Sequence, residues 1–188
     1  MFIQTEQTPN PLTLKFLPGK VVMDEGTAFY QNIKDTNNSP LAKKLFDVDG
    51  VSGVFLGSDF ITITKKASLD WQVMKPEILG KIADHFNSGD STIINKIDDE
   101  SSTSPNASSN DSEVVKQIKE LLDTRVRPAV AMDGGDIIYD SFKDGVVYLH
   151  MQGACSGCPS STATLKMGIE NMLKHYVPEV QEVRPVDA

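Results

Sequence analysis

The sequence predicts an α+β protein built as two small domains, each a small sheet with helices on one face. Three observations carry that expectation. A serine-rich, acidic stretch over residues 90–111 interrupts an otherwise patterned chain. The residues before it mix period-two and period-3.6 apolar patterns, and the residues after it run in the order α-β-β-α-β. At 188 residues the chain suits one domain or two smaller ones, since a domain takes about 150 residues.

In the first domain, 1–89, Thr8-Pro9-Asn10-Pro11 is a turn, because two prolines in four positions block a helix and a central strand alike. Leu12, Leu14 and Phe16 alternate with Thr13 and Lys15, the period of a half-buried strand, and Pro18-Gly19 closes it. Ser39-Pro40 reads as an N-cap and first helical position ahead of Leu41, Leu45 and Phe46 at helical spacing. Residues 51–56 and 60–64 flank Gly57-Ser58-Asp59, a hairpin with a glycine-containing loop. A last helix spans residues 70–86, with Val73, Ile78, Ile82 and Phe86 near one face and Trp71 as part of the core.

Residues 90–111 hold six serines and, after Lys96, four acids with no further base. Such a segment cannot bury enough apolar surface to offset its ordering entropy, so it reads as a flexible linker.

In the second domain, 112–188, Asp111-Ser112 caps a helix carrying Val114, Val115, Ile118, Leu121 and Leu122 on one face, and Pro128 stops it. Gly134-Gly135 and Asp144-Gly145 bracket a strand, and the hairpin returns over residues 146–152. A second helix starts at Pro159, with Thr162, Leu165, Ile169, Met172, Leu173 and Tyr176 as its buried stripe. Residues 179–184 are a candidate third strand.

Composition excludes several function classes. Eighteen Lys and Arg against 26 Asp and Glu give a net charge of −8, the wrong balance for a nucleic-acid binder or a polybasic membrane anchor. The longest uncharged stretch, 145–165, is broken by Gln152, Pro159 and a run of Ser and Gly, so it is no membrane span. The N-terminal residues lack a signal or transit pattern, which reads as a cytoplasmic chain or the mature form of an imported one. No GxGxxG, P-loop, HExxH or GxSxG occurs, so nothing points to nucleotide binding or hydrolysis.

Both cysteines lie in Gly153-Ala154-Cys155-Ser156-Gly157-Cys158-Pro159, on a loop leaving a strand and entering a helix. Two soft ligands three positions apart can bind one metal or close one disulfide. The helix N-terminus adds partial positive charge, which favours thiolate. Zinc or an iron–sulfur cluster usually takes four protein ligands, and this chain has two thiols. His85, His150 and His175 stand at no metal-site spacing and read as ordinary helix or strand residues. Asp133-Gly134-Gly135-Asp136 reads as a glycine-permitted turn. Two thiols complete a four-ligand site only by sharing it, most simply across a two-fold axis.

RPAVAMDGGDI over residues 127–137 and QGACSGCPSS over 152–161 resemble the NifU-like C-terminal domain of the Nfu iron–sulfur proteins. TPNPLTLKFLPG over 8–19, FLGSDFITITK over 55–65 and WQVMKPEI over 71–78 resemble the Nfu N-terminal domain. The resemblance implies a carrier, not an enzyme, that holds a cluster on Cys155 and Cys158 of each of two chains. The cluster is usually 4Fe–4S, with 2Fe–2S as the other form. It implies upstream cluster-assembly proteins as donors, apo iron–sulfur proteins as acceptors, a homodimer on cluster binding, and no nucleic-acid or membrane partner. The expected location is the bacterial cytoplasm, or the mitochondrial matrix if a presequence has been removed. Two rivals remain: a thioredoxin-like thiol–disulfide oxidoreductase and a structural zinc site shared by a dimer.

Overall fold

The computed structural model describes residues 2–94, 112–157 and 159–186, and of residues 159–161 the backbone alone. The chain divides into two compact units, Met1–Glu100 and Ser101–Ala188. Each has its own apolar core.

The first unit is a five-stranded antiparallel sheet with helices on one face. Its strands are β1 (Gln4–Gln7), β2 (Thr13–Leu17), β3 (Ala28–Tyr30), β4 (Val51–Leu56) and β5 (Ile61–Lys65), in spatial order β1-β2-β5-β4-β3. β2 and β5 pair centrally, Leu14 opposite Ile63 and Phe16 opposite Ile61. Period-two geometry then sends Leu14, Phe16, Ile61, Ile63, Val54 and Leu56 to one core, shared with helices α1 (Pro40–Phe46) and α2 (Trp71–Ser88). Both helices start as their sequences dictate. Ser39 Oγ accepts from the Ala42 N–H at 3.2 Å with Pro40 in the first turn, and the Asp70 carboxylate accepts from the Gln72 N–H at 2.9 Å.

Three details differ from expectation. Lys15 and Thr13 are buried as well as Leu14 and Phe16, so β2 is covered on both faces, with the Lys15 ammonium 4.7 Å from the centre of the Phe60 ring. On α2 the buried face is Met74, Ile78, Ile82 and His85, and Val73 is 74% exposed, because a 3.6-residue period from Ile78 reaches position 74, not 73. Residues 90–94, read as the start of the linker, are tied back to the first unit. Ser39 Oγ donates to the Thr92 carbonyl at 2.7 Å, the Ile94 N–H to the Asn38 carbonyl at 2.8 Å, and Lys44 pairs with Asp90 at 2.8 Å. The rest of the expected linker, 95–111, lies outside the described residues.

The second unit follows the α-β-β-α-β order. A helical path of α3 (Glu113–Leu121), a π-helical turn (Leu122–Val126) and α4 (Arg127–Met132) leads to strands β6 (Gly135–Lys143) and β7 (Val146–Gly153). Then come α5 (Pro159–Tyr176) and β8 (Glu182–Val186). β6 and β7 are an antiparallel hairpin closed by Asp144 and Gly145, both at positive φ (50° and 79°), the backbone of a two-residue primed turn. β8 returns parallel to β7 after the α5 crossover. The helices bury Ile118, Leu122, Val126, Val130, Ile169 and Leu173 against Ile137, Val147, Leu149 and Val183 of the sheet.

Pro128 does not stop the first helix. The chain widens one turn just before it, the Arg127 N–H reaching back five residues to the Leu122 carbonyl, and then continues helical to Met132. The wide turn accommodates a residue that has no N–H to offer and whose ring crowds the preceding turn. Tyr176 also departs from expectation: it is 40% exposed, and Val177 takes the buried place. No helix among the described residues is long and apolar enough to cross a membrane.

Candidate metal centre

The cysteine loop leaves β7 and enters α5, and two glycines shape it. Gly153 (φ 62°) and Gly157 (φ 77°) adopt the left-handed backbone that other residues avoid. Between them the Ser156 N–H donates to the Gly153 carbonyl at 3.1 Å, and Thr162 Oγ1, on the first turns of α5, donates to the Cys155 carbonyl at 3.2 Å. The loop is thus held at both ends.

Cys155 is buried, 5% exposed, and seated against the start of β6. A Cβ added to Gly135 would fall 2.5 Å from Cys155 Sγ, 2.8 Å from the Gln152 carbonyl oxygen and 3.0 Å from the Cys155 nitrogen. The seat therefore exists only because residue 135 has no side chain. The Ala154 N–H donates to the Gly134 carbonyl at 3.1 Å and locks the two loops together. Cys158, the other expected ligand, lies outside the described residues.

The turn that carries Gly135 is itself clamped. Arg127 Nε and Nη2 donate to the two Asp136 carboxylate oxygens, each at 2.9 Å, while Nη1 reaches Asp123 at 3.2 Å. The Asp136 carboxylate also accepts from the Ile137 N–H at 2.8 Å and is 3% exposed as a residue. A bidentate guanidinium–carboxylate pair fixes orientation as well as distance. Its carboxylate partners hold the Arg127 guanidinium pKa above the ordinary range.

The expected bias of Cys155 toward thiolate is reversed. Burial, with the Asp133 and Asp136 carboxylates beside it, pushes the thiol up to about 12. Desolvation disfavours the charged form and nearby anions add to it, so the partial charge of the helix start does not prevail.

Each histidine has local partners or surroundings of its own. His150 pairs with Asp140 at 3.0 Å, His175 stacks edge-on with Tyr176 near the end of α5, and His85 belongs to the core of the first unit. No group of three or more His, Cys, Asp or Glu among the described residues is placed to hold a metal ion. Asp133 and Asp136 act on Cys155 through charge. The sequence placed the cysteine loop, but the seat at Gly135 and the Arg127–Asp136 clamp were missed. The only local signal for the clamp was an arginine nine residues ahead of an aspartate in a turn.

Fold and loop together define a class: two-unit α+β scaffolds whose second unit presents a thiol on a strand-to-helix loop. The chain belongs to the Nfu/NifU scaffold family. The family profile described as "Scaffold protein Nfu/NifU N terminal" matches residues 3–89, and the NifU-like domain matches residues 118–184. NifU-like protein 4, mitochondrial, of Arabidopsis thaliana is 52% identical, over 97% of this chain and 65% of its own length. The human "NFU1 iron-sulfur cluster scaffold homolog, mitochondrial" is 50% identical, over 99% of this chain and 72% of its own length. NifU-like protein 5, mitochondrial, of Arabidopsis thaliana is 51% identical, over 97% and 67%. The chain thus spans about two thirds of the length of these relatives. All three are named as mitochondrial, which overturns the expectation of a bacterial cytoplasmic location.

Proposed function

We propose that the chain is an iron–sulfur cluster carrier, acting in mitochondria as its named relatives do. It holds a 4Fe–4S cluster as cargo on Cys155 and Cys158 of each of two copies and passes it to apo iron–sulfur proteins. Donors are cluster-assembly proteins upstream. The observation that carries this reading is the setting of Cys155: a loop-held thiol that, even with the Asp133 and Asp136 carboxylates near it, belongs to no group of three or more ligands placed to hold a metal among the described residues, in a chain with two cysteines in all. A site short of ligands within one chain is completed from outside it, and a site completed from outside can be dismantled from outside.

Each thiol loses its proton as it takes iron, so loading is coupled to proton release. Before loading, burial, helped by the Asp133 and Asp136 carboxylates, keeps the Cys155 thiol protonated and hence slow to oxidise. During transfer, an acceptor's thiolates replace first one copy's ligands on the cluster and then the other's; the released cysteines take up protons again, and the two copies part.

Anaerobic reconstitution with iron and sulfide tests the reading, with iron counted per chain and the cluster typed by Mössbauer spectroscopy. The full chain should take up half a four-iron cluster per copy, while Cys155→Ser and Cys158→Ser should each fall to background. Full iron content in either variant would overturn the ligand assignment.

A further inference from the structure

The geometry points to a docking groove in the first unit, between β1 and the first turns of α2, that takes an extended acidic segment of a partner protein as an added strand. The core face of the sheet is well covered over β2, β5 and β4, where Leu14, Phe16, Ile63 and Val54 are buried. On the same face of β1 the cover fails: Thr5 is half-buried and Gln7 exposed, although they stand opposite Phe16 and Leu14. What remains is a groove of about 580 Å³ lined by Thr5 and Gln7 of β1, by Leu14 of β2, by the turn between those strands, and by Trp71 and Lys75, one helical turn apart on α2. That volume is in the range of built ligand sites, about 300–1,000 Å³.

Two features select the occupant. First, β1 is an edge strand that pairs with β2 alone, and among the described residues its outer backbone groups have no partner. An extended peptide laid along that edge would satisfy them and bring alternate side chains into the groove. Second, Lys75 is the only charged residue lining the groove, and it forms no ion pair among the described residues. Lys65 is not part of the lining, but its ammonium lies 6.0 Å from the centre of the Trp71 ring. In a chain of net charge −8, a groove with a cation and no carboxylate favours an acidic side chain. The Trp71 indole N–H donates to the Pro11 carbonyl at 3.3 Å, which fixes the ring as a wall on which an aliphatic or prolyl group can pack. The groove owes nothing to the cysteine chemistry, so it would recognise protein partners independently of the cargo.

Trp71 is the only tryptophan in the chain, so its emission reports occupancy directly. The probe is a random heptapeptide display library selected on the full chain, followed by titration of the synthetic consensus peptide. Selection should enrich strand-forming peptides with at least one acid, and the consensus should shift Trp71 emission saturably. Lys75→Glu, and separately Gln7→Glu on β1, should weaken that peptide by about tenfold or more, while Cys155→Ser should leave it unchanged. Failure to enrich, a consensus without acids, or binding that leaves Trp71 silent or survives both charge changes would overturn the groove as a peptide site. So would saturation by the anionic amphiphile dodecanoate with no peptide binding. Because Cys155→Ser removes cluster loading but not the groove, the two readings fail separately.

Discussion

Replacing Gly135 by Ala tests the seat of Cys155 with a single methyl group. The added Cβ would stand 2.5 Å from Sγ, 2.8 Å from the Gln152 carbonyl oxygen and 3.0 Å from the Cys155 nitrogen. The sulfur can rotate away; the two backbone atoms cannot move without shifting the end of β7 and the loop that follows. Overpacking of this kind costs about 1–3 kcal/mol, and the stiffer unfolded chain returns about 0.4–1 kcal/mol, so the midpoints of the two ranges leave about 1.3 kcal/mol of destabilisation. Gly168→Ala on α5 is the matched control. Its added methyl meets nothing within 4 Å and its φ is ordinary, so it should stabilise by about 0.5–1 kcal/mol. Urea unfolding should be followed by far-ultraviolet circular dichroism for both units and by Trp71 fluorescence for the first. Gly135→Ala should lower the midpoint of the second unit, leave the Trp71 transition in place, and reduce iron uptake on reconstitution. An unchanged or raised midpoint would mean that Cys155 does not lie against Gly135.

Further outcomes follow from the same geometry. Arg127→Ala leaves the Asp136 carboxylate, 5% exposed as a side chain, without its fork and should cost about 3 kcal/mol in the second unit; Arg127→Lys should recover part of it, and a loss below about 1 kcal/mol would show the carboxylate to be solvated. His85 is fully buried with no hydrogen-bond partner on either ring nitrogen among the described residues, and burial, aided by Lys44, lowers its pKa below the usual 6.5. Below that pH the unfolded chain binds the proton more readily than the folded one, so the first unit should lose stability as pH falls from 6.5 toward the folded pKa. The Trp71 unfolding midpoint measured from pH 7 to about pH 5 should fall in the native chain and less steeply in His85→Leu; parallel profiles would contradict a buried neutral imidazole.

Much of this architecture is written in local patterns. The Ser39-Pro40 cap and the Gly57-Ser58-Asp59 and Asp144-Gly145 turns act over a few residues, and they are found where the sequence puts them. What escaped reading depends on partners distant in the chain. β1, Gln-Thr-Glu-Gln, has no apolar alternation to announce it, because an edge strand with one face open to solvent does not need it. Pro128 signals a stop by its own chemistry, and only packing of Val126 and Val130 on the sheet makes it worth widening a turn to continue. Gly135 looks like half of a turn; its reason is a sulfur twenty residues later, brought near by the pairing of Gly135 with Gly153. The thiolate expectation failed for a similar cause. Helix-start charge is visible in sequence, whereas the burial and the two carboxylates that outweigh it arise from the fold.

The central claim is that cluster and second copy arrive and leave together. Anaerobic sedimentation with absorbance detection follows mass and cluster in one experiment. The apo chain should sediment as a 20.6 kDa monomer, the reconstituted chain as a dimer with one cluster per two copies, and addition of an apo acceptor should restore the monomer as the cluster absorbance moves to the acceptor. A cluster-loaded monomer, or a loaded dimer that no acceptor can discharge, would contradict the shared-site carrier.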